Sequence, residues 1–148
     1  MTTFQFPYKH ILTIKEKEKD QAYSEYGQII KKKAALLDEL QAYIQERDER
    51  IARWEQEELT SVIDIRQRHQ FLEGLNVKIS KMDAELLTVE KELQAKQTIF
   101  FEKKKDERVW QHLRDKSYED YIQKEKKEEQ ERMDEMATIR YFHQSLSI

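Results

Sequence analysis

Four histidines are the side chains of this sequence best suited to metal binding or proton transfer, and they are far apart. They stand at positions His10, His69, His112 and His143. Helical zinc sites place two histidines four residues apart on one face. No pair here has that spacing, so we expect no metal site and no cofactor.

The other groups that could catalyse a reaction lack the surroundings that they need. Carboxylates are numerous, but acid–base catalysis requires a pocket that shifts their pKa, and a two-stranded coiled coil offers none. Glycine occurs only at positions 27 and 74, which excludes a glycine-rich phosphate loop, and no serine lies in a nucleophile motif. Cysteine is absent. We therefore predict that the chain is not an enzyme.

Charge is high but evenly mixed. The chain has 27 Lys and Arg against 30 Asp and Glu, interleaved along its length, so no basic stripe for nucleic acid stands out. The clusters Lys31–Lys33 and Lys103–Lys105 are interpreted as solvated helix faces, with an anionic partner as the alternative. The lack of cysteine, of a leader pattern and of a run of roughly 18 apolar residues predicts a cytoplasmic protein without membrane insertion.

Two glycines and one proline in 148 residues predict few, long helices. In the first half, apolar residues recur in alternating steps of three and four, the repeat of a coiled-coil seam. The predicted first seam consists of Tyr23, Tyr26, Ile30, Lys33, Leu37, Leu40, Ile44, Arg47, Ile51 and Trp54. Its charged members are interpreted mainly as side chains that extend out of the seam, or else as residues that fix register.

A second run has the same spacing and a similar length. It consists of Leu72, Leu75, Ile79, Met82, Leu86, Val89, Leu93, Lys96, Phe100 and Lys103. Two matched seams in one chain predict an all-α fold, a long two-helix antiparallel coiled-coil hairpin that forms a single domain over residues 1–148.

The register is interrupted between the two seams, where Ser61 and Asp64 can cap a new helix. Gly74 is the competing turn position. With the turn near residue 60, residues pair when their numbers add up to about 120. The predicted elements are helix 1 at about 9–58, a turn at about 59–61, helix 2 at about 62–141 and a frayed end at 142–148.

This pairing leaves the C-terminal part of helix 2, from about residue 111, as an overhanging arm. Residues 123–132 contain no apolar side chain. An amphipathic pattern then returns, formed by Met133, Met136, Ala137, Ile139, Phe142 and Leu146. We interpret it as a docking segment, with folding back or pairing in an oligomer as the alternative.

Several apolar residues lie off the predicted seams. Ile29, Leu36 and Tyr43 follow one another at seven-residue spacing, and Phe71, Leu87, Ile99 and Phe101 stand off the second seam. Contact with a partner is one interpretation. A broader core face is the other.

Three segments resemble the flagellar export protein FliJ family. They are Phe4-Gln5-Phe6 with Ile11-Leu12, Lys15–Ala22 and Glu25-Tyr26; Ile65–Ile79 with Gln70-Phe71 and Leu75; and Met133-Asp134-Glu135 with Ala137. The resemblance implies an antiparallel two-helix stalk, similar to the central subunit of rotary ATPases. It also implies a place in the hexameric export ATPase, contact with the cytoplasmic part of the export gate at the inner face of the membrane, and binding of export chaperones.

Members of this family present a partner-binding patch on both helices near the turn. Phe71 and Leu75 fall on matching positions, and Tyr43 replaces an aliphatic residue of helix 1. The resemblance therefore implies these three as partner-binding residues. Neighbouring positions depart from the enterobacterial pattern, which makes chaperone binding less secure than stalk and gate binding; they are Glu39, Glu46, Arg50, Lys78 and Met82.

Two alternative functions remain open on the sequence. The stalk of a virulence-type injectisome would have the same architecture. A self-associating cytoplasmic scaffold would bury the seam between chains, whereas a hairpin is expected to be a monomer on its own.

Overall fold

The computed structural model describes residues 3–58 and 61–146, and these contain two helices. α1 is Lys9–Gln56 and α2 is Val62–Leu146. The two long helices pack against each other, as in a helical hairpin. The predicted all-α hairpin with a long C-terminal arm is therefore confirmed.

Local chemistry explains where each helix begins. α1 starts directly after Pro7 and Tyr8, and the Lys9 amide donates to the Phe6 carbonyl at 3.2 Å. Ser61 caps α2, because its Oγ accepts a hydrogen bond from the Asp64 amide at 3.3 Å. The predicted cap is confirmed.

The helix ends differ slightly from the sequence-based bounds. α1 ends at Gln56, and α2 continues to Leu146, so residues 142–146 are helical. No glycine or proline follows Gly74, and that glycine lies inside α2 without a positive φ. The alternative turn at Gly74 is therefore excluded. Residues 59 and 60 of the predicted turn, and 147 and 148, lie outside the described residues.

The chain divides into two compact units, each described by itself. The turn unit is Asp20–Glu102, and the terminal unit is Met1–Lys19 with Lys103–Ile148. The core of the turn unit centres on Leu40, Ile79 and Met82. Residues packed against this core are Leu36, Tyr43, Ile44 and Leu86.

The seam of α2 is as predicted, because all ten predicted positions are buried or half-buried. The seam of α1 is only half right. Positions 26, 33, 40, 47 and 54 face inward as expected. The remaining inward positions are shifted by one residue toward the N-terminus, to Ala22, Ile29, Leu36, Tyr43 and Arg50.

The residues that the shift displaces lie at the edge of the interface. Tyr23 is 61% exposed, Ile30 44% and Leu37 41%, whereas Ala22 is buried. Ile44 is half-buried and Ile51 is exposed. The interpretation of Ile29, Leu36 and Tyr43 as a broader core face is the correct one.

Cross-helix contacts within the turn unit establish the antiparallel register. Lys33 Nζ lies 3.8 Å from Glu90 Oε1, and Lys96 Nζ lies 3.1 Å from Glu25 Oε2. The numbers in each pair add up to slightly more than 120, as predicted. The seam lysines Lys33 and Lys96 thus form ion pairs with the opposite helix.

In the terminal unit, α2 is covered further than the sequence predicted. The non-helical N-terminal segment runs beside it, and the Phe4 ring lies 5.2 Å from that of Tyr118 and 5.4 Å from that of Tyr121. Tyr8 contacts Trp110. The exposed arm therefore begins near residue 126, not near 111, and residues 126–146 are all exposed.

Candidate partner-binding surfaces

Tyr43, the predicted contact residue of α1, lies on the inner edge of the turn unit. Its half-buried ring packs against the core cluster. The Lys78 ammonium of α2 lies 5.6 Å from the ring centroid, within the range of a cation–π contact. Only part of the tyrosine is therefore available to a partner.

Phe71 lies nearer the turn and presents part of its ring to solvent. Its ring meets that of Trp54 edge to face, at a centroid distance of 5.9 Å. The Arg50 guanidinium carbon lies 4.5 Å from the Phe71 centroid. These neighbours hold the ring in one orientation, which lowers the entropy that a partner contact would cost.

Leu75 is a core residue. It is only 6% exposed, because position 75 falls on the inner seam of α2, one turn after Phe71. A partner cannot touch it substantially without separating the helices. Residues four apart on a helix are neighbours, so Leu75 is placed to pack beside Phe71.

The sequence did not predict the arrangement around Trp54. Arg68 stacks on the Trp54 ring at 5.3 Å, donates to the Trp54 carbonyl at 3.5 Å, and forms a 3.0 Å ion pair with Glu57. With Arg50 and Phe71, these residues line an open groove beside the turn. Each helix carries an arginine and an aromatic residue within four positions of each other, Arg50 with Trp54 on α1 and Arg68 with Phe71 on α2. This pattern could have indicated the groove.

The exposed arm carries the third group of candidate contacts. Met133, Met136, Ile139 and Phe142 are each between 56% and 61% exposed. Methionine and aromatic side chains adapt well to binding surfaces. The predicted amphipathic pattern is thus present on a helix that nothing covers among the described residues.

Potential metal ligands do not cluster in the described part of the chain. It has no group of three or more His, Cys, Asp or Glu side chains that could hold a metal ion. A hydrogen bond from Lys96 and the charge of that ammonium lower the pKa of Glu25 below the ordinary value. Within the described residues, neither helix contains a stretch apolar enough to span a bilayer.

Comparison with known proteins agrees with this helical arrangement. The family model of the flagellar FliJ protein matches residues 4–146. The chain belongs to the FliJ family. A FliJ relative, the flagellar FliJ protein of Bacillus subtilis (strain 168), is 24% identical over 144 residues, which cover 95% of this chain and 97% of the relative. No solved structure matches this FliJ-family chain.

Membership confirms the resemblance seen in the sequence and supports a role connected with flagellar protein export. FliJ proteins form a non-catalytic flagellar family. The match runs through both helices and includes the exposed arm.

Proposed function

We propose that this chain is a non-enzymatic, stalk-like component of the bacterial flagellar type III export apparatus. It binds the hexameric export ATPase and the cytoplasmic part of the export gate. The family match over residues 4–146 carries this proposal. Because the matched family is flagellar, it favours the flagellar machine over a virulence-type injectisome.

Two features of the molecule support a stalk. Long helices with few breaks transmit position over a distance, and the charged surface keeps them apart from unrelated chains. The exposed arm at residues 126–146 offers apolar side chains to an enclosing ring. The protein works in the cytoplasm as a monomer until it binds, and reaches the inner face of the membrane only through the export apparatus.

We assign the contact near the turn to Tyr43, Phe71 and Leu75, with unequal roles. Phe71 presents a fixed, half-exposed ring, and Tyr43 contributes the accessible part of its own ring. Leu75 is buried and acts by packing beside Phe71. Export chaperones are a further class of partner for this patch.

Stimulation of the cognate ATPase is the most direct test. Purified full-length protein is added to the export ATPase over a range of molar ratios, and phosphate release is measured. We expect a rise that saturates once the stalk occupies each ring. An unchanged rate at every ratio would count against the proposal.

Sedimentation velocity separates a stalk from a self-associating scaffold. A hairpin buries its seam within one chain, so the protein should sediment as a monomer and remain helical at low micromolar concentration. A scaffold would dissociate on dilution and lose helicity with it. A sedimentation coefficient and a helicity that both fall on dilution would contradict the monomeric stalk.

A further inference from the structure

One side of the turn unit carries an apolar line that the hairpin covers only in part, at Ile44, which packs against the core cluster, and at Tyr23, whose ring contacts that of Phe100. Its members are Tyr23, Ile30, Leu37, Ile44 and Ile51, which follow one another every seven residues along α1. Four of the five are at least 37% exposed. A charged two-stranded coiled coil has no internal need for a second apolar line.

The positions beside this line are small in its first half. Gly27 and Ala34 alternate with Tyr23, Ile30 and Leu37 in steps of four and three. The space beside Gly27 is open, since no atom outside the local helix backbone lies within 4 Å of where a Cβ would stand. This spacing repeats the coiled-coil pattern on a second face of α1, where small residues let another helix approach closely.

The edge of α2 on the same side is acidic. Asn76 and Glu90 lie on this side, because they contact the inward α1 residues Arg47 at 3.3 Å and Lys33 at 3.8 Å. Asp83 stands midway between them at seven-residue spacing. Positions 76, 83, 90 and 97 thus form one line along α2, and positions 73, 80, 87 and 94 form the line beside it. Glu73 belongs to the second line, and neither line contains a lysine or arginine.

The opposite side of the turn unit differs in composition. There Lys32 pairs with Glu92 at 3.9 Å, and Lys78 lies over Tyr43. Phe71 and Tyr43, the proposed export contacts, belong to that side. The apolar line is therefore separate from the patch assigned above.

Charge decides which occupant fits the apolar line. A second copy would set either acidic edge against acidic edge, or the apolar line against an acidic edge, and both arrangements are unfavourable. A membrane of anionic lipids requires a basic rim, and this rim is acidic. A helix with bulky apolar residues and a basic flank satisfies both the apolar line and the acidic edge.

We propose that the apolar line Tyr23–Ile51 of α1, with the acidic edge Glu73–Glu90 of α2, is a docking surface for a basic amphipathic helix of a protein partner. The partner's apolar side chains contact Ile30, Leu37 and Ile44. Its lysines or arginines face Asp83 and Glu73. The result is a three-helix arrangement in the turn unit.

Binding of designed probe peptides tests this surface on the full-length protein. The first probe is a fluorescein-labelled four-heptad helix with leucine on its contact face and lysine on one flank, and the second has glutamate in place of lysine. Fluorescence anisotropy measures both affinities. We expect the lysine probe to bind at least about tenfold more tightly than the glutamate probe.

Matched variants identify the surface used. Ile30→Gln with Leu37→Gln should weaken the lysine probe about tenfold or more. Ile99→Gln, on the opposite side and 39% exposed, should leave it unchanged. Glu73→Lys with Asp83→Lys should reverse the preference between the two probes. All these side chains are at the surface, and circular dichroism checks that each variant keeps its helicity.

Four results would overturn the proposal. One is equal affinity for the two probes, and another is equal binding by wild type and the Ile30/Leu37 variant. A third is a concentration-dependent dimer that Leu37→Gln abolishes, which would make a second copy the occupant. The last is binding to vesicles of anionic phospholipid that is lost with Leu37→Gln.

Discussion

The Nζ atom of Lys19 lies 2.7 Å from Oε2 of Glu107, across facing seam positions of the terminal unit. Glu107 is 6% exposed, and Gln111 also donates to its carboxylate at 2.8 Å. A buried carboxylate is tolerated only when its hydrogen bonds are satisfied. The helix pairing in this unit therefore depends on a buried ion pair as well as on apolar contacts.

Lys19→Ala should destabilise the protein by about 2–3 kcal/mol, because Glu107 would stay buried with Gln111 as its remaining donor. Replacing both residues by leucine should restore most of this stability, since the buried charge is then removed. Urea unfolding followed by circular dichroism measures both. Lys17→Ala, at an exposed position, is the control, and an equal effect of the two alanine variants would refute a special role for Lys19.

The Glu25–Lys96 pair predicts a dependence on pH. The hydrogen bond and charge of Lys96 lower the pKa of Glu25 from 4.5. A carboxyl with a lowered folded-state pKa stabilises the protein above its unfolded pKa, and this contribution is lost as the pH falls through the folded-state pKa. Lys96→Met should raise the pKa of Glu25 and reduce the loss of stability below about pH 4.5. NMR titration of the Glu25 carboxyl carbon measures this pKa. Lys91→Met, at an exposed position, is the control and should leave the pKa unchanged.

Alanine substitutions should separate the roles of Phe71 and Leu75. Leu75→Ala removes a buried side chain and should cost about 2–5 kcal/mol of stability. Phe71→Ala should cost less and weaken binding of export partners while the helices stay paired. Unfolding curves and pull-downs from cell extract report the two effects. If the double variant retained every partner, the assignment of this patch would be wrong.

Truncation distinguishes the exposed arm from the covered part of α2. Deleting residues 128–148 removes exposed side chains among those described, so the melting temperature should change by no more than about 1 °C. Deleting residues 117–148 also removes the contacts of Tyr118 and Tyr121 with Phe4. This deletion should lower the melting temperature by several degrees. Equal melting temperatures for the two truncations would mean that the N-terminal segment contributes nothing to stability.

Both glycines lie within helices, and no contact within the described part of the chain requires either of them. Neither has a positive φ, and outside the local helix backbone neither has an atom within 4 Å of where a Cβ would stand. Gly27→Ala and Gly74→Ala should each stabilise the protein by about 0.5–1 kcal/mol, because alanine loses less backbone entropy in a helix. Thermal unfolding measures the gain. A loss at either site would indicate a packing constraint absent from the geometry described above.

Heptad spacing was sufficient to predict the fold class and the whole seam of α2, and the capping pattern of Ser61 with Asp64 predicted the start of that helix. The heptad spacing was not sufficient for α1, because that helix places apolar residues side by side at Ile29-Ile30, Leu36-Leu37 and Tyr43-Ile44. Either member of each pair continues the same three–four pattern. Only the packing of α2 against one of the two lines decides between them, and this long-range information is not local in the sequence.

The N-terminal cover of α2 was missed for a different reason. Phe4 to Pro7 follow neither helical nor strand periodicity, so pattern analysis assigns them no partner. The Phe4 ring reaches Tyr118 and Tyr121 only because α1 brings the N-terminus alongside α2. The contact residues Tyr43, Phe71 and Leu75 came from family resemblance, although the heptad spacing had already placed Leu75 in the seam of α2, where it is buried.

The antiparallel register also has a consequence for how the chain folds. Arg68 and Glu57, which meet beside the turn, are 11 residues apart in sequence, whereas Lys103 and Glu18 are 85 apart. Closing the shorter loop costs about 2 kcal/mol less in chain entropy. We therefore expect helix pairing to nucleate beside Trp54 and Phe71 and to proceed outward, so that the N-terminal residues and the stretch of α2 from Lys103 to Tyr121 pair last during folding and separate first during unfolding.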